Sequence, residues 1–113
     1  MHELGITQRI VEIALRTAAE QQAKKIHSVT LEVGSLAGVV AEALEFCYEA
    51  CSKDSLLEGS RLIVEAVQAK ARCRDCALDY PLTDLLACCP VCNSASGDLI
   101  CGEELRIKEM EID

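Results

Sequence analysis

Two pairs of cysteines are the residues best placed to do chemistry in this 113-residue chain. Cys73-Arg74-Asp75-Cys76 and Cys89-Pro90-Val91-Cys92 are C-x2-C motifs with twelve residues between them. Two intervening residues let both thiolates of a tight turn face one centre, about 2.3 Å from a zinc ion. Pro90 fixes φ and preorganises the second turn. Two such knuckles facing each other make a closed, tetrahedral four-thiolate site. Such a site leaves no position for water or substrate, so its role is structural.

Four free cysteines in a loop are a poor alternative, because an insert of about 30 residues buries too little apolar surface to fold without a staple. A thioredoxin-like redox role needs a strand-to-helix context that this segment lacks. Cys88 directly precedes Cys89 and could replace it, but the C-P-x-C turn favours Cys89. Cys47 and Cys51, four apart on a helical stripe, read as small core residues. Cys101, beside Gly102, reads as a spare thiol.

The other chemically suggestive residues open the chain. His2 places an imidazole one peptide nitrogen away from the α-amine of Met1. The amine, the deprotonated amide nitrogen of His2 and its imidazole can chelate one ion in a plane. Planar nitrogen donors suit Ni(II) or Cu(II) rather than zinc. An α-amine with a pKa of about 7.7–8 makes such a site sensitive to pH. From spacing alone, a histidine at a terminus is more often a solvated residue than a ligand. His27, at the start of a strand, reads as an ordinary exposed residue.

These groups must be positioned by a small domain. Half the residues are apolar, but with one Phe, two Tyr and no Trp the core has to be aliphatic. The net charge of −8 excludes a nucleic-acid phosphate backbone as partner and is compatible with cations or a basic protein. Met1-His2-Glu3 lacks the basic region of a signal peptide, and no apolar run approaches the roughly 18 residues needed to cross a membrane. A cytoplasmic location and reduced thiols are the expectation, with no membrane partner.

Apolar periodicity predicts a helix from Leu4 to about Lys24, with Ile6, Ile10, Ile13, Ala14, Thr17 and Ala18 inward. Ser28–Val33 alternates strictly, as a strand with one buried face. Gly34–Gly38 reads as a loop, 41–52 as a second helix, and 61–69 as a second strand. In 105–112 the alternation slips near Lys108–Glu109, because Leu105 and Ile107 share one parity and Met110 and Ile112 the other. The expected fold is α+β: two helices packed on a three-stranded sheet with an inserted zinc-knuckle, zinc-ribbon-like subdomain. Residues 1–69 plus 103–113 form the main domain and 70–102 the zinc-binding domain.

Taken in order, Met1-His2-Glu3-Leu4 opening a helix, the Val29–Gly34 strand, the two cysteine pairs, Gly102-Glu103-Glu104-Leu105-Arg106-Ile107 and Met110-Glu111-Ile112 resemble the HypA/HybF family. Its members are nickel metallochaperones of hydrogenase maturation, and the resemblance spans the whole chain. It implies a nickel-binding α/β domain (1–69 plus 103–113) binding Ni(II) transiently through Met1, His2 and the neighbourhood of Glu3. It implies structural Zn(II) on Cys73, Cys76, Cys89 and Cys92. Further implications are a HypB-like GTPase partner, delivery to the [NiFe]-hydrogenase large subunit, in some members service to urease, and no reaction of its own. Where several relatives carry a carboxylate after the first strand's loop, this chain has Val40, with Glu42 the nearest acid. That departure puts a carboxylate ligand from the loop in question and leaves Glu3.

Two other readings compete. A zinc-ribbon protein-interaction module with no nickel role predicts that changing His2 does nothing. An iron or thiol redox protein predicts colour or reductant-dependent cycling. Monomer and homodimer are both compatible with the sequence, since short connections around 34–40 and 53–60 permit element swapping.

Overall fold

The computed structural model describes residues 2–84 and 87–113, and of His2 only the backbone. In chain order the elements are α1 (His2–Glu20), β1 (Ile26–Gly34), α2 (Ala41–Ser52), β2 (Arg61–Val67), β3 (Lys70–Cys73), β4 (Asp79–Pro81), β5 (Gly97–Cys101) and β6 (Leu105–Ile112). The strands form two three-stranded sheets, ordered β2-β1-β6 and β4-β3-β5. The fold is α+β, as the sequence predicts. The strands inside the cysteine segment are an addition to that reading.

The chain divides into two compact units, 1–32 with 39–65 and 106–113, and 33–38 with 66–105. The second unit is wider than the 70–102 span read from the cysteines. Its extra residues are held by hydrogen bonds to the main chain of 67–69. The Ser35 N–H donates to the Val67 carbonyl at 2.9 Å, and the Ala69 N–H donates to the Ser35 hydroxyl at 3.0 Å.

In the first unit α1 packs against α2. The buried apolar side chains come from α1 (Ile10, Val11, Ala14, Ala18), β1 (Ile26, Val29, Leu31), α2 (Leu44, Tyr48) and Leu57. The buried stripe of α1 is rotated from the expected one. Thr7 and Val11 are inside, whereas Thr17 is exposed. Burying Thr7 is cheap because its hydroxyl donates to the Glu3 carbonyl at 2.6 Å.

The helix also stops four residues before Lys24. Gln22 takes φ +55°, the Gln22 N–H donates to Ala19 O at 3.1 Å, and the Ala23 N–H donates to Ala18 O at 2.9 Å. This is a Schellman stop built without the usual glycine, so composition did not announce it.

Strand β1 is central, and Thr30 is buried although the alternation assigned it outward. A central strand has neighbours on both sides. Glu32 on Thr30's face of β1 meets Arg106 of β6 at 2.7 Å, and Lys108 reaches Glu65 of β2 at 2.9 Å. In β6, consecutive Lys108 and Glu109 are both exposed while Ile107 and Met110 are half-buried, which is the parity slip read from the sequence.

Helix α2 begins after Val40, which has extended backbone (φ −99°, ψ 120°) and contributes no side-chain cap. A carboxylate there can accept from the free N–H groups of the first turn and meets the positive helix end. Val40→Asp is expected to raise stability by about 1 kcal/mol, read as an upward shift of the urea midpoint. An unchanged midpoint would mean that the α2 start is already satisfied.

The candidate metal centre

The second unit is built to bring four sulfurs together. Strand β3 runs antiparallel to both β4 and β5, pairing Arg72 with Asp79 and Asp98, and Cys73 with Gly97. Arg72 clamps Asp79 through two bonds of 2.7 and 3.2 Å, and Arg74 holds Asp98 at 2.8 and 2.6 Å. The sheet therefore delivers Cys73 at its end. The unit's core is small: buried Ala69, Ala71, Cys73, Tyr80, Leu82 and Cys89, with Leu36, Leu78 and Ala87 packed against them.

The two knuckles share one backbone geometry. In the first, the Ala77 N–H donates to Cys73 O at 2.9 Å and the Cys73 N–H to Leu78 O at 2.8 Å. In the second, the Asn93 N–H donates to Cys89 O at 2.8 Å and the Cys89 N–H to Ser94 O at 2.9 Å. In both, the residue after the second cysteine is left-handed, Ala77 at φ +64° and Asn93 at +61°. Asparagine tolerates that region, so Asn93 was readable, whereas nothing in the spacing marks Ala77.

The sulfur atoms of Cys73, Cys76, Cys89 and Cys92 all lie within 4.8 Å of one another. Two close approaches cross between knuckles, Cys73 to Cys92 at 3.4 Å and Cys76 to Cys89 at 3.6 Å. A zinc tetrahedron with bonds of about 2.3 Å has sulfur–sulfur edges of about 3.8 Å. The donor set therefore fits zinc in number, type and spacing. Cys73 and Cys89 are buried while Cys76 and Cys92 are exposed, so the first cysteine of each pair is seated in the core.

Backbone dipoles reinforce this division. The Cys76 N–H, then that of Asp75, lowers the Cys73 thiol against desolvation. The Cys92 and Val91 N–H groups bring Cys89 down to about 7, again against desolvation. Cys92 is drawn down by the Ser94 N–H, yet contact with Cys73, burial, and contacts with Cys89 and Cys76 push it up to about 12. Cys76 is likewise raised: the Leu78 N–H pulls it down, but the Cys89 contact and desolvation outweigh it. Without metal, the thiolate form is favoured on the inner cysteines relative to the outer ones.

Cys88 is exposed beside the buried Cys89, and Cys47 and Cys51 are half-buried on α2. The Cys101 thiol donates to the Gln68 carbonyl at 3.4 Å. None of these four belongs to the sulfur cluster. Of the N-terminal residues singled out from the sequence, Met1 and the His2 side chain lie outside the described residues. Glu3 sits half-buried in the first turn of α1. His27 meets the Asp113 carboxylate at 3.0 Å.

The profile of a family described as hydrogenase/urease nickel incorporation, metallochaperone, HypA matches residues 1–112. The chain belongs to the HypA family. It is 46% identical over 113 residues to the hydrogenase maturation factor HypA of Geotalea uraniireducens, covering all of both chains. It is 43% identical to that of Geobacter metallireducens, again over both whole chains. Two solution structures share the HypA fold at 21% identity. The nickel metallochaperone HypA from Helicobacter pylori matches with a TM-score of 0.68 over 99% of this chain and 97% of that one. A second HypA structure matches with a TM-score of 0.73 over 99% and 96%.

HypA proteins are metallochaperones of nickel incorporation for hydrogenase or urease, and not enzymes. Among the described residues no helix is long and apolar enough to cross a membrane.

Proposed function

We propose that this chain carries Ni(II) at its N-terminus and delivers it for [NiFe]-hydrogenase maturation, while zinc on Cys73, Cys76, Cys89 and Cys92 holds the second unit together. The observation that carries the division of labour is the closed sulfur cluster, four thiols within 4.8 Å. Four thiolates complete a tetrahedral zinc sphere and leave it no open position. A cargo that has to be released needs a different donor set. The amine of Met1 with the amide and imidazole of His2 offers planar nitrogen donors suited to Ni(II). Glu3 adds negative charge in the first turn, where the helix end favours it. Delivery through a HypB-like GTPase to the hydrogenase large subunit belongs to the same proposal, and the match to hydrogenase maturation factors supports it.

The test is titration of Ni(II) into zinc-loaded protein with a native N-terminus, beside His2→Ala and a form extended by one residue before Met1. The native protein is expected to bind one nickel per chain with the absorption of a planar nitrogen site, and both variants to lose it. Equal uptake by all three forms sinks the N-terminal site. Failure of the native protein to bind nickel at all returns the chain to a zinc-held interaction module.

A further inference from the structure

Helix α2 carries an outward face that the metal chemistry does not use. Phe46, the chain's sole phenylalanine, is 78% exposed, the highest value among the exposed large apolar residues. A lone exposed apolar residue needs no explanation, but Phe46 is not isolated. Helical spacing sets Ala43, Cys47 and Ala50 on one flank of it and Glu42, Glu45 and Glu49 on the other. Ala50 and the three glutamates are exposed, and Ala43 and Cys47 are half-exposed.

Five carboxylates elsewhere in the chain are neutralised by a neighbouring cation, and the three glutamates of α2 are not among them. Glu12, Glu32, Glu65, Asp79 and Asp98 each hold an arginine or lysine. Among the described residues no ion pair engages Glu42, Glu45 or Glu49. The result is an aromatic knob beside three unneutralised carboxylates, on a protein of net charge −8.

We propose that this face of α2 docks a different protein, one presenting an apolar pocket rimmed by arginine. The knob fills the pocket. An arginine at the rim can lay its guanidinium over the Phe46 ring while bonding Glu42 or Glu49, which bracket that ring at i−4 and i+3. A second copy of this chain is the poorer occupant, because it brings the same three carboxylates and the same net charge. The proposal goes beyond the nickel and zinc reading and does not depend on it.

The probe is a synthetic amphipathic helix with leucine and alanine on one face and arginine along its edges, titrated into isotopically labelled zinc-loaded protein. Amide shifts are expected to cluster in residues 42–53. Affinity is expected to fall at least tenfold with Phe46→Ala, with Glu42→Gln/Glu49→Gln, and with a peptide whose arginines are glutamate. All variants are surface changes, and an unchanged amide spectrum elsewhere reports that they fold. Shifts spread over the acidic surface, or affinity indifferent to Phe46, overturn the proposal. So does concentration-dependent dimerisation abolished by Phe46→Ala, which would make the occupant a second copy.

Discussion

Cys89→Ala is expected to abolish retention of zinc and to unfold the second compact unit. Cys89 is one of four donors and also one of six buried residues in that unit's core. Its loss therefore opens the coordination sphere and leaves a cavity at the same point. Nine apolar or thiol side chains cannot offset the conformational entropy of 46 residues, at roughly 1–2 kcal/mol per residue for the backbone alone. Structural zinc supplies about 10–16 kcal/mol in comparable small sites, so in the proposed reading the metal decides whether this unit is folded. Metal analysis after dialysis is expected to give no zinc, and the amides of β3, β4 and β5 to collapse to random-coil shifts. Signals of α1 and α2 are expected to remain, because their buried residues belong to the first unit. Cys101→Ala is the matched control, since Cys101 lies outside the sulfur cluster. A Cys89→Ala protein with zinc bound and native β3 shifts would show that Cys88 takes over the position.

The same site fixes the direction of the pH dependence. In the proposed zinc site four thiolates are held by the metal, whereas unfolded cysteines titrate near 8.5, so below that value the unfolded chain binds more protons. Stability of the zinc-loaded protein therefore rises with pH up to about 8.5 and is lost as pH falls. The thiols shifted without metal refine this. Cys89, lowered to about 7, favours its thiolate above that pH, and that contribution is lost as pH drops through about 7. Cys92, pushed up to about 12, and Cys76, also raised, are protonated at neutral pH until the metal displaces their protons. Zinc loading at pH 7.5 is expected to release at least these two protons, measurable in weakly buffered solution with an indicator. Loading without proton release would mean that the cysteines are not the ligands.

How much of this was legible depended on whether a feature is written in side-chain type or in backbone geometry. The cysteine quartet was readable because metal ligation needs specific donors at specific spacing, and the structure brings those same four sulfurs together. The two strands β1 and β6 of the main sheet were readable from alternation, including the slip in β6, because burial of one face imposes a period of two. What composition hid was conformational. Gln22 and Ala77 occupy left-handed backbone without being glycine or asparagine, so neither the early end of α1 nor the left-handed close of the first knuckle could be foreseen. Thr30 was misassigned because alternation describes one strand. Its burial comes from its neighbours in the sheet. The strands β3, β4 and β5 escaped notice because each is only three to five residues long and interrupted by ligand turns.

Gly34 is the position where that hidden geometry has its largest consequence, and Gly34→Ala is expected to destabilise the zinc-loaded protein by about 3 kcal/mol or more. The sequence presents Gly34 as a simple breaker before a loop. In the structure it is the last residue of β1, and a Cβ there would lie 2.0 Å from the Gly102 carbonyl oxygen and 2.1 Å from its carbon. Both obstacles are backbone, so no side chain can rotate away. Retreat of the backbone would break useful bonds, because the Leu36 N–H donates to that carbonyl at 2.8 Å and the Gly34 N–H donates to Glu104 O at 2.7 Å. Nor can Gly102 yield on its far side. Its own φ is +124°, and a Cβ on it would meet Ala69, fully buried, at 2.4 Å. Residues 34, 102 and 69 thus come from three chain segments stacked at backbone contact, all within the second unit. Gly5→Ala is the internal control, because Gly5 lies in α1 with nothing within 4 Å of its added Cβ. Removing a helix-interior glycine there is expected to stabilise by about 0.5–1 kcal/mol. Urea midpoints of the two variants should therefore move in opposite directions from the parent. A Gly34→Ala midpoint equal to the parent's would mean that the segments separate freely, and that residues 33–38 are not part of the second unit in solution.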